Sequence, residues 1–398
     1  MGDKVVITAK ILKWARESAR MSLVDAAAKV PVDAVKLQLW EEGTNYPTMA
    51  QLEKLAKAYR RPVAIFFLPE LPLDFQPLQD FRNKSSAKLG TASVFIIREV
   101  QQRQAWTSEI FKENDYQRLD FVGRYTLSDD PKVVARDMIQ TLAIDPTRYE
   151  HSNPLLEWIR KAEARGIFVC RTSFVHSRLK LNSDEMQGFT IADNFAPFIF
   201  INSEDWDAPQ LFTMVHELAH VWIAQSGISN EVEVYQNSKA ELHPVEAFCN
   251  SVAAEVLMPE IVMRQLTTTA FQNDQSVFLH AKKMAVSSFA FLIRALKLGL
   301  IENNRYIKLK KEADEGFREY AAKEAEHMAQ LKAKMKALPK EERSGPNSYL
   351  LLANKNGQLF TRVVMDAFRG GTLLPTEASR LLSTKVNNFS KLEAVLYI

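Results

Sequence analysis

The chain has 398 residues, 46% of them apolar, a formal net charge of +3 and two cysteines. That length exceeds one average domain, so roughly two to four units are expected, with apolar material enough to fill several cores. The small charge excludes nucleic-acid binding as a bulk property, the cysteine count excludes a disulfide framework, and no apolar run reaches the roughly 20 residues of a membrane span; a soluble cytoplasmic protein is expected.

Residues 1–70 alternate apolar helical patches with short turns. Ile11, Leu12, Trp14 and Ala15 lead into Arg16-Glu17-Ser18-Ala19-Arg20, and Ser22 is placed to cap a helix over 23–30. After Pro31 a third helix ends at Leu39-Trp40-Glu41-Glu42-Gly43, and Pro47 precedes a fourth over 49–59. This run, with its Trp-Glu-x-Gly, Pro and Leu-x-x-Leu-Ala, resembles the phage-repressor (XRE) helix-turn-helix, which implies a five-helix domain. Repressors of that type read bases with the exposed part of their third helix. The matching positions here, Ala34, Val35 and Leu39, offer no hydrogen bonds to base edges, and Asp33 faces phosphate unfavourably. Lys36 and Gln38 are the nearby groups suited to DNA or a partner, and 11 Lys+Arg against 8 Asp+Glu in residues 1–70 leave a thin surplus of +3. DNA binding and docking to other regulators both stay open for this domain.

Residues 68–77 carry Pro69, Pro72 and Pro77, a stiff extended connector, and Asp80-Phe81-Arg82 follows. Apolar Phe95, Ile96, Val100, Trp106 and Phe111 predict a long helix over 92–114 with a solvated polar face, and residues 130–165 again read as helical. Gly166 ends that stretch. Strands are predicted at 167–174, 187–191 and 196–202, with Asn202 and Asp205 as punctuation before the next helix. The edge of such a sheet can take a peptide as an added strand.

The chemistry lies in Phe212-Thr213-Met214-Val215-His216-Glu217-Leu218-Ala219-His220. Residues four apart share a helix face, so His216 and His220 can aim two imidazoles at one zinc ion, with Glu217 beside it as general base. Catalytic zinc takes a third protein ligand. Glu246 is favoured, on a second helix that Pro259 stops, reached by a polar connection over 227–244; His243, before Pro244, is the rival. Asn250, one turn after Glu246, can hold a ligand histidine's ring N–H. Tyr235 and His243 are candidates by type alone for a donor to the oxyanion.

The first motif, followed by Glu246-x-x-Cys-Asn-x-Val-Ala-Ala-Glu-Val-Leu-Met-Pro, resembles the ImmA/IrrE family of zinc metallo-endopeptidases. Cys249 and Val252 stand where that family has Ala and Phe, as packing changes. The resemblance implies His216, His220 and Glu246 as zinc ligands, Glu217 as catalytic base, and a protein substrate, a DNA-binding repressor or similar regulator, in a phage, stress-response or toxin–antitoxin switch. Asp80-Phe81-Arg82 recurs in its longer members.

Helices are predicted at 278–284 and 287–300, resembling a second, helix-turn-helix-like extension of the family. A charged helix over 308–340 carries a narrow stripe of Ala313, Phe317, Tyr320, Met328, Leu331, Met335 and Leu338, suited to a partner face, in cis or in a homodimer. The expected organisation is a helix-turn-helix domain at 1–70, a connector and helical region at 71–150, a peptidase core at 151–265, an extension at 266–305, the charged helix at 306–345 and a C-terminal domain at 346–398. The expected fold class is α+β and predominantly helical, with a zincin-like core, a small sheet and a helical C-terminal extension. The alternative to an enzyme is a helix-turn-helix regulator or partner-binding protein whose peptidase-like part only senses.

Overall fold

Side-chain caps punctuate the N-terminal helices α1 (Ala9–Ser18), α2 (Leu23–Lys29), α3 (Ala34–Glu41) and α4 (Met49–Tyr59). The Ser22 hydroxyl accepts from Asp25 N–H, the Asp33 carboxylate accepts from Val35 N–H, and Thr48 and Gln51 form a reciprocal capping box. Each satisfies a first-turn donor that the helix itself leaves without a partner. Leu12, Leu37, Trp40, Leu52, Leu55 and Tyr59 fill the core between them. The Arg16 guanidinium joins α1 to α3 by donating to both Glu41 oxygens, at 2.8 and 2.9 Å. Where a fifth helix was expected, Val63–Phe67 is a 3-10 segment: five residues between Pro62 and Leu68 are too few for more than one turn.

The computed structural model describes residues 3–72, 74, 77–82, 88–150, 152–229, 243–337 and 347–396, so Tyr235 and Leu338 lie outside the described residues. It divides into one unit of Met1–Pro77, Ala87–Gln102 and Phe174–Glu185, and another of Leu78–Ser86, Arg103–Ser173 and Met186–Ile398. After α4 the elements are β1 (Gln79–Asp80), α5 (Thr91–Glu113), α6 (Pro131–Leu142), α7 (Pro154–Ala164), β2 (Phe168–Thr172), the hairpin β3 (Phe174–His176) and β4 (Leu179–Lys180), β5 (Gly188–Ile191), β6 (Phe198–Asn202), α8 (Asp207–Trp222), β7 (Gly227–Ser229) and α9 (Pro244–Leu257). Then come α10 (Glu260–Met263), α11 (Asp274–Lys283), α12 (Ser288–Lys297), α13 (Asn303–Ala337), α14 (Ser348–Asn356), α15 (Gln358–Arg369), α16 (Pro375–Leu381) and α17 (Phe389–Glu393). No single helix among the described residues is long and apolar enough to cross a membrane.

In the second unit a mixed sheet runs in the order β1-β7-β5-β6-β2, with β2 parallel to β6, β5 antiparallel to both β6 and β7, and β1 parallel to β7. Strands β5 and β6 are buried along their whole length, consistent with their near-continuous apolar sequence. The span 227–244, expected to be a polar connection, opens with strand β7, and Gln79–Asp80 was not expected to be a strand at all. Segments of two or three residues carry no alternation of their own; only pairing with a neighbour makes them strands. Helix α8 begins at Asp207, ahead of the first apolar turn, while Asn202 ends β6 and donates its side-chain N–H to the Met186 carbonyl.

The C-terminal residues pack on β2. The Arg103 guanidinium, buried on α5, donates to Asn356 Oδ1 at 2.7 Å and to the Lys355 carbonyl at 3.2 Å, and Leu359 N–H donates to the Glu163 carboxyl at 3.0 Å. Burial pushes that carboxyl up from 4.5 to about 7, against the pull of its backbone donors. Between pH 4.5 and 7 the folded chain keeps a proton that the unfolded chain releases, so rising pH removes up to about 3 kcal/mol of stability across that window and nothing further above it. Glu163→Gln keeps an acceptor for Leu359. It is expected to raise the denaturant midpoint near pH 8 and to leave it close to wild type near pH 4.5, as read by tryptophan fluorescence.

Candidate metal centre

Helix α8 is apolar on nearly every side, with Leu211, Met214, Val215, Leu218, Ala219 and Val221 all buried, so it runs through the core rather than over it. His216, Glu217 and His220 are wholly buried with it. The two imidazoles lie on one face, their Nε2 atoms 3.0 Å apart. From α9, Glu246 reaches in to place Oε2 3.3 Å from His216 Nε2 and Oε1 3.2 Å from His220 Nε2. Of the two candidates for a third ligand, the structure brings Glu246 to the cluster and not His243. His243 is the N-cap of α9, its Nδ1 accepting from Val245 N–H.

The residues fit a zinc ion. Zinc bonds of about 2.0–2.1 Å in a tetrahedron separate ligand atoms by about 3.3 Å; the two imidazole nitrogens are 3.0 Å apart, each lies 3.2–3.3 Å from a different Glu246 oxygen, and one ligand atom from each residue falls within 4.8 Å of the others. His216 Nδ1–H donates to Asn250 Oδ1 at 2.9 Å, which turns Nε2 toward the cluster and, once Nε2 is deprotonated, aims its lone pair there. That lone pair, a second imidazole nitrogen and a carboxylate then converge in a buried space, a repulsive arrangement that a cation relieves. Burial holds His220 below the ordinary imidazole range. In the metal-free chain burial pushes against ionising Glu246, but a protonated His216 and hydrogen bonds with both imidazoles outweigh it and keep the carboxyl at about 2, so the metal takes the place of a proton here. A neutral imidazole and a carboxylate are the forms that bind a metal. Asn250→Ala, which frees the His216 ring to turn, is expected to weaken zinc binding by about 10–100-fold in competition with a chelator.

Glu217 takes no part in the ligand triangle. Its Oε2 accepts a 2.6 Å hydrogen bond from the Thr190 hydroxyl, while Oε1 has no hydrogen-bond partner among the described residues. Burial raises this carboxyl to about 7, with His216 and Thr190 pulling the other way. Gly188 makes room for it: a Cβ there would stand 2.8 Å from Glu217 Oε1 and 2.8 Å from Thr213 Cγ2. Sequence reasoning missed Gly188, Thr190 and Ser229. Residues 188 and 190 share one face of β5, so a strand directly before the motif carried a signal for the first two. Ser229 on β7 had none; its hydroxyl lies 3.3 Å from His220 Nε2 and donates to Glu246 Oε1 at 3.4 Å. Phe81, after β1, stacks on the His220 ring at 5.6 Å and 15°. Cys249 is buried in the core beside this cluster.

Lys36 and Gln38 lie in the other unit, on α3. Gln38 donates to Glu42 at 2.8 Å, Lys36 sits 5.9 Å over the Trp40 ring, and Val35 and Leu39 beside them are exposed.

Comparison with known proteins bears on the second unit. A search among curated proteins gives no match. Residues 162–296, which carry all the side chains of the cluster except Phe81, match the peptidase M78 family model, described as the IrrE N-terminal-like domain, and this supports a metallopeptidase of the ImmA/IrrE type.

Proposed function

We propose that this protein is a zinc-dependent endopeptidase in which His216, His220 and Glu246 hold the metal and Glu217 is the general base. The observation that carries it is the triangle of ligand atoms, all within 4.8 Å of one another, with a non-ligating carboxyl beside it held by Thr190. Zinc in that triangle supplies Lewis acidity, polarising a peptide carbonyl and lowering the pKa of water toward neutrality. The chain's own side chains do the rest. Thr190 fixes one oxygen of Glu217, so the other is free to take the proton of the attacking water and to return it to the leaving nitrogen. Burial works against the charged form of this carboxyl, which stands at about 7 in the metal-free chain, so it can hold a proton as well as release one. Asn250 holds the His216 tautomer, and Ser229 holds Glu246 on the side away from His216.

The substrate in this reading is a DNA-binding repressor or similar regulator, and residues 1–70 form an XRE-type helix-turn-helix domain that docks on regulators rather than reading bases. Support for docking comes from α3, whose exposed side chains include Val35 and Leu39 and whose Gln38 is already paired with Glu42. The test is co-expression with a panel of DNA-binding regulators from the same genome, followed by intact-mass analysis. Cleavage that disappears in Glu217→Gln supports the proposal; a panel left intact in both cases contradicts the substrate assignment.

A further inference from the structure

A sheet presents a peptide along an edge, and the sheet here ends in β2 on one side and in the two-residue β1 on the other. Along β2, the Cys170 thiol donates to the Asn356 carbonyl at 3.1 Å, and a Cβ on Gly357 would stand 2.8 Å from the Val169 carbonyl oxygen, so the C-terminal region closes that side. On the opposite side β1 lies on β7, which carries Ser229 next to His220 and Glu246 and would be the edge without it. A peptide laid along β7 therefore runs past the ligand triangle.

That edge is filled by the chain itself. Gln79 and Asp80 pair in parallel register with Gly227 and Ile228, and Phe81 N–H donates to the Ile228 carbonyl at 3.2 Å. Gln79 and Asp80 are exposed, whereas Phe81 is 3% exposed, so the ring is the anchor of this short strand. It lies between the His220 ring at 5.6 Å and the His243 ring at 4.9 Å, directly over Gly227. A Cβ on Gly227 would fall 2.1 Å from the Phe81 ring, so any other residue there would close the pocket. Arg82 folds back onto Asp80 at 2.7 Å, bracketing the aromatic residue with a charge pair. An aromatic side chain presented from an added strand, in a pocket made by the partner strand and a ligand imidazole, is the arrangement by which a sheet edge reads a peptide.

We propose that the β7 edge and the Phe81 pocket form a recognition subsite for an extended peptide bearing an aromatic residue, that residues 79–82 occupy it in the resting chain, and that substrate enters by displacing them. The proposal rests on the peptidase reading for the identity of the ligand, but it is tested by binding and not by cleavage. A segment tethered in cis competes at high effective concentration, so a free peptide meets a subsite already filled. Ring and strand leave together, which uncovers His220 at the moment a substrate strand arrives.

The experiment titrates zinc-loaded full chain with a fluorescent peptide of sequence Leu-Gln-Asp-Phe-Arg, followed by anisotropy. Phe81→Ala is expected to bind it at least about ten-fold more tightly than wild type, Phe81→Leu to stay near wild type, and a peptide with Ala in place of Phe to bind neither. Equal affinity of wild type and Phe81→Ala, equal binding of the Ala-containing peptide, or no binding to any variant overturns the proposal. Should Phe81→Ala fail to fold, hydrogen exchange on the wild type decides. The Phe81 amide is expected to exchange at least about ten-fold faster with saturating peptide present, and unchanged protection with peptide bound overturns the proposal. Peptide binding without any hydrolysis would count against the peptidase reading alone, and hydrolysis with an unaltered Phe81→Ala titration would count against the subsite alone.

Discussion

Glu217→Gln is expected to retain zinc at the wild-type stoichiometry while peptide hydrolysis falls by about 10²–10⁴-fold, the contribution of a positioned general base. The substitution is close to isosteric, and the amide oxygen can still accept from Thr190, which now fixes one oxygen at 2.6 Å. What it removes is the capacity to carry a proton. Since Glu217 stands outside the ligand triangle, metal content and turnover separate in this variant. Unchanged hydrolysis with zinc retained would remove Glu217 from the mechanism, and loss of zinc would make it a ligand.

Glu246→Ala is expected to weaken zinc binding by on the order of 10²–10³-fold, since one of three protein ligands goes and two imidazoles remain. His243→Ala is expected to leave zinc affinity within a few-fold of wild type, because His243 caps α9 through Val245 N–H and does not belong to the triangle. Isothermal titration with a competing chelator reads both variants. The reverse ranking would replace Glu246 with His243 as the third ligand.

Much of this centre is legible in single helices. His216 and His220 are one turn apart, and Glu246 and Asn250 are one turn apart, so helical spacing alone puts each pair on one face. Their meeting follows from the packing of α8 against α9, where Val215, Ala219, Val252 and Ala253 share one core. The parts contributed by strands were not legible. Gly227-Ile228-Ser229 is too short to show a period, and Gln79–Asp80 is polar and exposed, so both become strands only through neighbours distant in sequence. Ser229, and the place of Phe81 against the His220 ring, therefore came into view only with the fold.

Helix bounds follow chain geometry as much as apolar periodicity. The stretch 130–165 separates into α6 and α7, with Ala143 at positive φ ending the first and Asn153 with Pro154 starting the second. The charged helix begins earlier than its charge pattern, at Asn303, and its Phe317 and Tyr320 are not wholly unpartnered: their rings meet Trp206 at 6.0 and 5.5 Å. Burial of Glu163 against α15 had no sequence signal, because its partner is a backbone N–H of Leu359 in the C-terminal region.

X-ray absorption at the zinc edge of the metal-loaded full chain tests the central claim most directly. The account predicts one zinc per chain, with two imidazoles and the remaining ligands oxygen at about 2.0–2.1 Å. A sulfur shell at about 2.3 Å, which would put Cys249 on the metal, or a chain that takes up no zinc, would contradict it.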